Sequence, residues 1–169
     1  MTRVSSAQQV GGPQVGDFAS DFDVPALFAG VKKRFHLREQ NAKKTLVLAF
    51  YPLNWDPVSA NQMARYQVER EKFALHGAEV VGISVDSIMN TTAWEREIGP
   101  LECPLCSDFW PHGEVSRKYG VFREQDPFAG ASERATFVVD QTGKIAFRKI
   151  YALEQAPDLD ETLAVLRKL

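Results

Sequence analysis

The residues best placed for chemistry fall in one stretch, Phe50-Tyr51-Pro52-Leu53-Asn54-Trp55-Asp56-Pro57-Val58-Ser59-Ala60-Asn61-Gln62-Met63. Asp56 followed by Pro57 is a good helix start, because the carboxylate can accept from free backbone amides and proline suits the first helical position. Ser59 then falls in the first turn, where unpaired N–H groups and the helix dipole favour an anion. The corner follows a strand candidate, and open α/β sheets gather ligands at the carboxyl ends of their strands. A nucleophile at position 59 is well placed. A cysteine there would have its thiolate stabilised, whereas a serine is weak without a base. No G-x-S-x-G elbow is present, and His36, His76 and His112 are not tied to Ser59 by spacing. Two readings of Ser59 stand side by side: a small polar residue satisfied by its own backbone, or a serine nucleophile.

The second candidate is Cys103-Pro104-Leu105-Cys106, the only two cysteines of the chain. A reactive C-x-x-C opens a helix directly after a strand, which lowers the thiol pKa. This pair follows Gly99-Pro100 and precedes Ser107-Asp108-Phe109, so the pattern places it in a loop or short strand. Buried structural thiols and a redox pair both fit. Zinc fits poorly, since two thiolates with Asp108 and His112 make an awkward ligand spacing.

The elements that must position these groups are legible in outline. Lys44–Tyr51, Glu79–Val85 and Ala135–Val139 are short, rich in β-formers and almost continuously apolar, which marks strands covered on both faces. The third runs through Asp140-Gln141-Thr142-Gly143-Lys144 into Ile145–Ile150, a hairpin, so the sheet is mixed. Helices are expected from Val58 to about His76, from Thr91 to Ile98, and from Glu114 to Tyr119. A last one follows Asp158, with Glu161 completing a capping box and Leu159, Leu163 and Leu166 on its apolar face. The fold class is α/β, three-layer, with a mixed central sheet and flanking helices.

At 169 residues the chain is one domain's length. Twenty Lys and Arg against 22 Asp and Glu give a net charge of −2, which excludes a wholesale basic surface for nucleic acid. Lys32-Lys33-Arg34 and Lys43-Lys44 read as solvated faces, and Trp94 as a core residue. No stretch reaches the roughly 20 apolar residues of a membrane helix. Residues 1–14 read as a flexible lead-in with no apolar signal core, which leaves residues 15–169 as the domain and a cytoplasmic location as the expectation.

The corner also carries a resemblance. Pro52-x-x-x-Asp56-x-x-Ser59, preceded by Phe50-Tyr51, is similar to the Pro-x-x-x-Thr/Ser-x-x-Cys motif of peroxiredoxins of the alkyl hydroperoxide reductase/thiol-specific antioxidant family. Val15-Gly16-Asp17-Phe18, Val85-Asp86-Ser87, Ser107-Asp108-Phe109 and Tyr119-Gly120-Val121-Phe122 match in order. The resemblance implies a thioredoxin-like fold and a thiol-dependent peroxidase acting on hydrogen peroxide or organic hydroperoxides. It further implies no cofactor or metal, a thiol reductant (a thioredoxin-like protein or a small thiol), and a homodimer.

By the same resemblance, Ser59 holds the peroxidatic cysteine position, Pro52 shields it, and Arg134 stabilises thiolate and peroxide. Gln62 lies where the family often has Glu or Gln in a supporting role, and with cysteine at position 59 Cys103 or Cys106 is the candidate resolving thiol; Trp55 is a supporting candidate from its own place within the motif loop. Two departures sit at the chemical centre, Ser59 for cysteine and Asp56 for Thr/Ser. A serine cannot pass through a sulfenic acid, so the chain as written is expected to be inactive as a peroxidase. Either the serine was introduced to trap a reduced-like state, or the chain is a natural binding or regulatory relative without the cysteine. Asp56 is a good N-cap, but its charge would raise the pKa of a neighbouring thiol.

Overall fold

In the computed structural model, which describes residues 11–169, the chain runs β1 (Asp23–Phe28), β2 (Val31–His36), α1 (Leu37–Asn41), β3 (Thr45–Phe50), α2 (Pro57–Val68) and α3 (Arg70–Ala74). It continues through β4 (Ala78–Ser84), α4 (Ile88–Ile98), β5 (Leu105–Ser107), α5 (Glu114–Lys118), β6 (Arg134–Val139), β7 (Ile145–Tyr151) and α6 (Leu159–Leu166). The strands form one sheet in the order β2-β1-β5-β4-β3-β6-β7. β3, β4 and β5 are parallel, and the remaining pairings are antiparallel.

All six residues of β3 are buried, as its unbroken apolar sequence requires. Leu46, Leu48 and Phe50 enter one cluster with Leu37, Val115 and Tyr119, under α1 and α5. Val47, Ala49 and Tyr51 enter the other with Met63, Phe73, Trp94 and Leu163, under α2, α3, α4 and α6. Successive β6 residues divide the same way: Ala135, Phe137 and Val139 face the first cluster, so Arg134 and Thr136 face the layer that holds α2. That alternation is what aims a β6 arginine at the start of α2.

Several sequence expectations need correction. The helix expected from Val58 to His76 is two helices, because Glu69 adopts φ −92°, ψ 7° and breaks the ladder. The break lets α3 pack Phe73 onto Tyr66, with ring centroids 5.8 Å apart. α4 begins at Ile88 rather than Thr91, since the Ser87 hydroxyl accepts from the Asn90 amide and caps the helix earlier. The capping box at Asp158 does not form: its carboxylate accepts from Asp160 N at 3.0 Å, and Glu161 is drawn away to Lys149 at 2.9 Å.

The β1–β2 hairpin carried no clear signal. β2 is an edge strand whose Val31-Lys32-Lys33-Arg34 run is exposed, and edge lysines discourage pairing with other chains. Among the described residues no helix is long and apolar enough to cross a membrane.

Of the lead-in expected over residues 1–14, residues 1–10 lie outside the described residues. Residues 11–14 are held in place: Pro13 is buried, the Gln14 amide donates to Asp17 Oδ2 at 2.8 Å, and Gly11 lies against Gly120. Gly120 has φ +71°, and a Cβ there would overlap the Gly11 carbonyl. Gly120→Ala should cost about 1–3 kcal/mol in urea unfolding and expose residues 11–14 to limited proteolysis. A neutral substitution would show that the segment bears no load.

Candidate functional site

The expected helix start is formed. Asp56 (φ −73°, ψ 125°) is the N-cap of α2, its Oδ2 accepts from Ser59 N at 3.0 Å, and Pro57 takes the first helical position. The loop before it is tethered from the other side. Asn54 is buried; its amide nitrogen of the backbone donates to Asp86 Oδ2 at 2.8 Å, and its side chain donates to Asn90 Oδ1 (3.1 Å) and Thr91 Oγ1 (3.0 Å). Tyr51 Oη donates to Asn54 Oδ1 at 2.9 Å. These bonds lock the corner to the start of α4, so Asp56 and Ser59 are placed by two helices and a strand together.

Trp55 takes φ +71°, a conformation uncommon for a non-glycine residue. Its indole Nε1 donates to Asn90 Oδ1 at 3.0 Å, and the ring is half exposed. It borders the site in sequence but is turned toward α4. Pro52 is buried in the same connection.

Arg134 closes the site from β6. Its side chain is fully buried, as is Ser59. Nη1 donates to Ser59 Oγ at 3.1 Å and to Gln62 Oε1 at 2.8 Å. Nη2 donates to Asp56 Oδ2 at 2.9 Å and to the Leu153 carbonyl at 2.7 Å, and Nε donates to the same carbonyl at 3.1 Å. Every guanidinium nitrogen has a partner. Ser59 Oγ in turn donates to Asp56 Oδ2 at 2.8 Å, so one carboxylate oxygen collects the Ser59 amide, the Ser59 hydroxyl and the arginine.

The sequence candidates Ser59, Asp56, Gln62 and Arg134 thus meet in one cluster. Burial acts to raise the Asp56 carboxyl, but the bonds from Ser59 and Arg134 outweigh it and hold the group below its ordinary value. A carboxylate so stabilised is a poor base for the serine hydroxyl. Sequence reasoning missed Asn54 and the Leu153 carbonyl. Asn54 could have been found from its place in the corner; a backbone acceptor leaves no mark in a sequence.

Cys103 and Cys106 are both free and buried. Cys103 lies in the cluster with Met63 and Tyr66, Cys106 on β5 in the opposite cluster, so the sheet separates the two thiols. Burial pushes the Cys103 thiol up to about 12 and the Cys106 thiol well above its ordinary value. Neither is among the hydrogen-bond partners of Ser59, which are Asp56 and Arg134.

Removing the carboxylate strands a buried cation. Asp56→Ala should therefore destabilise the fold by about 3–5 kcal/mol in denaturant titration; a loss below 1 kcal/mol would mean the ion pair is not structural. The pH dependence has a definite sign. Because the folded carboxyl sits below its unfolded value, its contribution is complete above about pH 4 and is lost as pH falls through the folded value. Asp56→Asn should flatten that part of the acid limb of stability against pH, and an unchanged limb would place the titration elsewhere.

The AhpC/TSA family profile matches residues 15–148. The chain is 35% identical to alkyl hydroperoxide reductase E of Mycobacterium tuberculosis, over 69% of this chain and 80% of that protein. It is 32% identical to the chloroplastic 2-Cys peroxiredoxin BAS1 of Hordeum vulgare, over 93% of this chain and 75% of that protein. The crystal structure of the reduced 2-Cys peroxiredoxin of Plasmodium vivax superposes with a TM-score of 0.83 at 26% identity, covering 90% of this chain and 80% of that one. The three-layer α/β arrangement with its mixed sheet is accordingly the thioredoxin-like fold. The sequence match, the fold and the corner at residues 50–62 agree, and the chain belongs to the AhpC/TSA family of peroxiredoxins.

Proposed function

We propose that this chain is a non-catalytic member of its family, a binding or regulatory protein in which the peroxide-handling corner has become a closed structural ion pair. The observation that carries the reading is the Asp56 carboxylate seated between Ser59 and Arg134. In a working thiol peroxidase the corresponding guanidinium must face a thiolate and a peroxide oxygen. Here its positive charge is already neutralised by the protein, and its donors are committed. Ser59 supplies no sulfur to accept the peroxide oxygen, and its proton is bonded to a carboxylate of lowered basicity. The two departures from the family motif support each other: the serine donates to the aspartate, and the aspartate occupies the cation.

A second reading has its own support, because Arg134 Nη1 stands 3.1 Å from the Ser59 side-chain atom that a cysteine sulfur would replace. On that reading the protein with cysteine at position 59 is a thiol-dependent peroxidase, reduced by a thioredoxin-like protein or small thiol and assembled as a homodimer. Asp56 then works against the chemistry, since a neighbouring negative charge raises a thiol pKa and thins the thiolate population.

Peroxide consumption by three proteins separates the readings. The chain as it stands should show none. Ser59→Cys should be slow, with a raised thiol pKa. Ser59→Cys combined with Asp56→Thr should exceed the single variant by at least ~10-fold, the effect of about one pKa unit on a thiolate at neutral pH. Turnover by the unmodified chain would refute the non-catalytic reading. A single variant as fast as the double one would favour an ordinary peroxidase altered at one residue.

A further inference from the structure

A cavity of about 340 Å³ opens at the amino ends of β3 and β4, beside the last turn of α2 and α3. The Ser59 corner follows the carboxyl end of β3 and opens α2, so the two lie at opposite ends of the same strand and helix. The floor of the cavity is apolar: Phe73, Ala78, Val80 and Cys103 line it and are each at most 6% exposed. The Phe73 ring stands 5.8 Å from that of Tyr66, which lines the same space. Burial keeps the Cys103 thiol protonated, and beyond that Glu79 and Arg70 act on it in opposite directions, so charges at the rim bear on the floor.

The rim is polar and built in advance. Gln67 Oε1 accepts from the Glu102 amide at 2.8 Å on one side, and Gln141 Nε2 donates to the Lys43 carbonyl at 3.1 Å on the other. Three cations line the cavity, Lys43, Lys44 and Arg70. Lys44 is matched by Glu79 at 2.6 Å. Arg70 has Glu102 at 2.8 Å, but both side chains are about half exposed, where an ion pair contributes little. Its guanidinium keeps N–H donors for a second acceptor. Lys43 has no ion-pair partner among the described residues. One positive charge is therefore in excess.

Ligand sites are concave and mostly apolar, roughly 300–1,000 Å³ in volume, with a few polar groups that fix orientation. A single excess charge suits a monoanion, and the guanidinium fork matches a carboxylate. Aromatic rings and a sulfur on the floor reward a flat ring. We propose that this cavity binds a small aromatic carboxylate, its ring on the Phe73–Cys103 floor and its charge at Arg70 and Lys43. No residue of the Ser59–Arg134 cluster lines the cavity, so the site stands apart from the reading of function.

The test titrates 2-naphthoate into the full ¹⁵N-labelled chain. The Gln67, Arg70, Glu79 and Cys103 amides should shift and saturate with a Kd below about 1 mM, while those of Asn54 and Ser59 stay in place. The neutral 2-naphthamide should bind at least ~10-fold more weakly, and Arg70→Ala should weaken the carboxylate by a similar factor. Should Arg70→Ala fail to fold, Ala74→Phe gives a second reading: Ala74 is exposed, lines the cavity, and the added ring should block it. Three results overturn the proposal: no saturable shift up to about 10 mM, an amide that binds as tightly as the carboxylate, or binding that the folded variants leave unchanged.

Discussion

A guanidinium with no exposed surface has to be matched by negative charge and by acceptors for each of its nitrogens, or the fold cannot carry it. Arg134 meets that demand with one carboxylate oxygen, one hydroxyl, one side-chain amide and one backbone carbonyl. The rest of the corner follows from this requirement. Asp56 must cap α2 at the right depth, which fixes the helix start. The loop before it must not drift, which is what Asn54 secures by bonding to β4–α4 and to α4 at once. The β7–α6 connection must present Leu153's carbonyl, which ties the chain beyond the edge strand β7 to Arg134 on β6.

This arrangement gives the family position a different meaning. The first turn of α2 offers free amides and the positive end of a dipole, conditions that stabilise a thiolate. In this chain an aspartate takes up one of those amides, that of Ser59, and the arginine as well. The carboxylate is therefore a built-in anion at the start of α2. Asp56 and Ser59 stand three residues apart, so both side chains meet at one turn of helix. Position 59 holds a hydroxyl, and the positive charge of Arg134 is directed at the Asp56 carboxylate.

The helix start was legible from local rules alone, since Asp-Pro followed by a small polar residue specifies its own geometry. The central strands were equally readable from their unbroken apolar runs. Arg134 was different in kind: it stands 75 residues from Ser59, and nothing in spacing connects them, so only the family resemblance indicated that they meet. The β1–β2 hairpin was hidden because an edge strand can be as polar as a loop. The division of α2 from α3 rests on a single backbone conformation at Glu69, to which periodicity is blind. For the cysteines, pattern left two meanings open, and burial on opposite faces of the sheet is a tertiary fact that a C-x-x-C spacing cannot contain.

The central claim is that Asp56 is ionised and holds Arg134 by its charge. The most direct measurement is the titration of the Asp56 carboxyl carbon by ¹³C NMR in the unmodified chain. The account predicts a midpoint below that of an exposed aspartate. A midpoint at or above the exposed value would mean that burial outweighs the ion pair, and the reading of the corner as a closed, self-neutralised site would be contradicted.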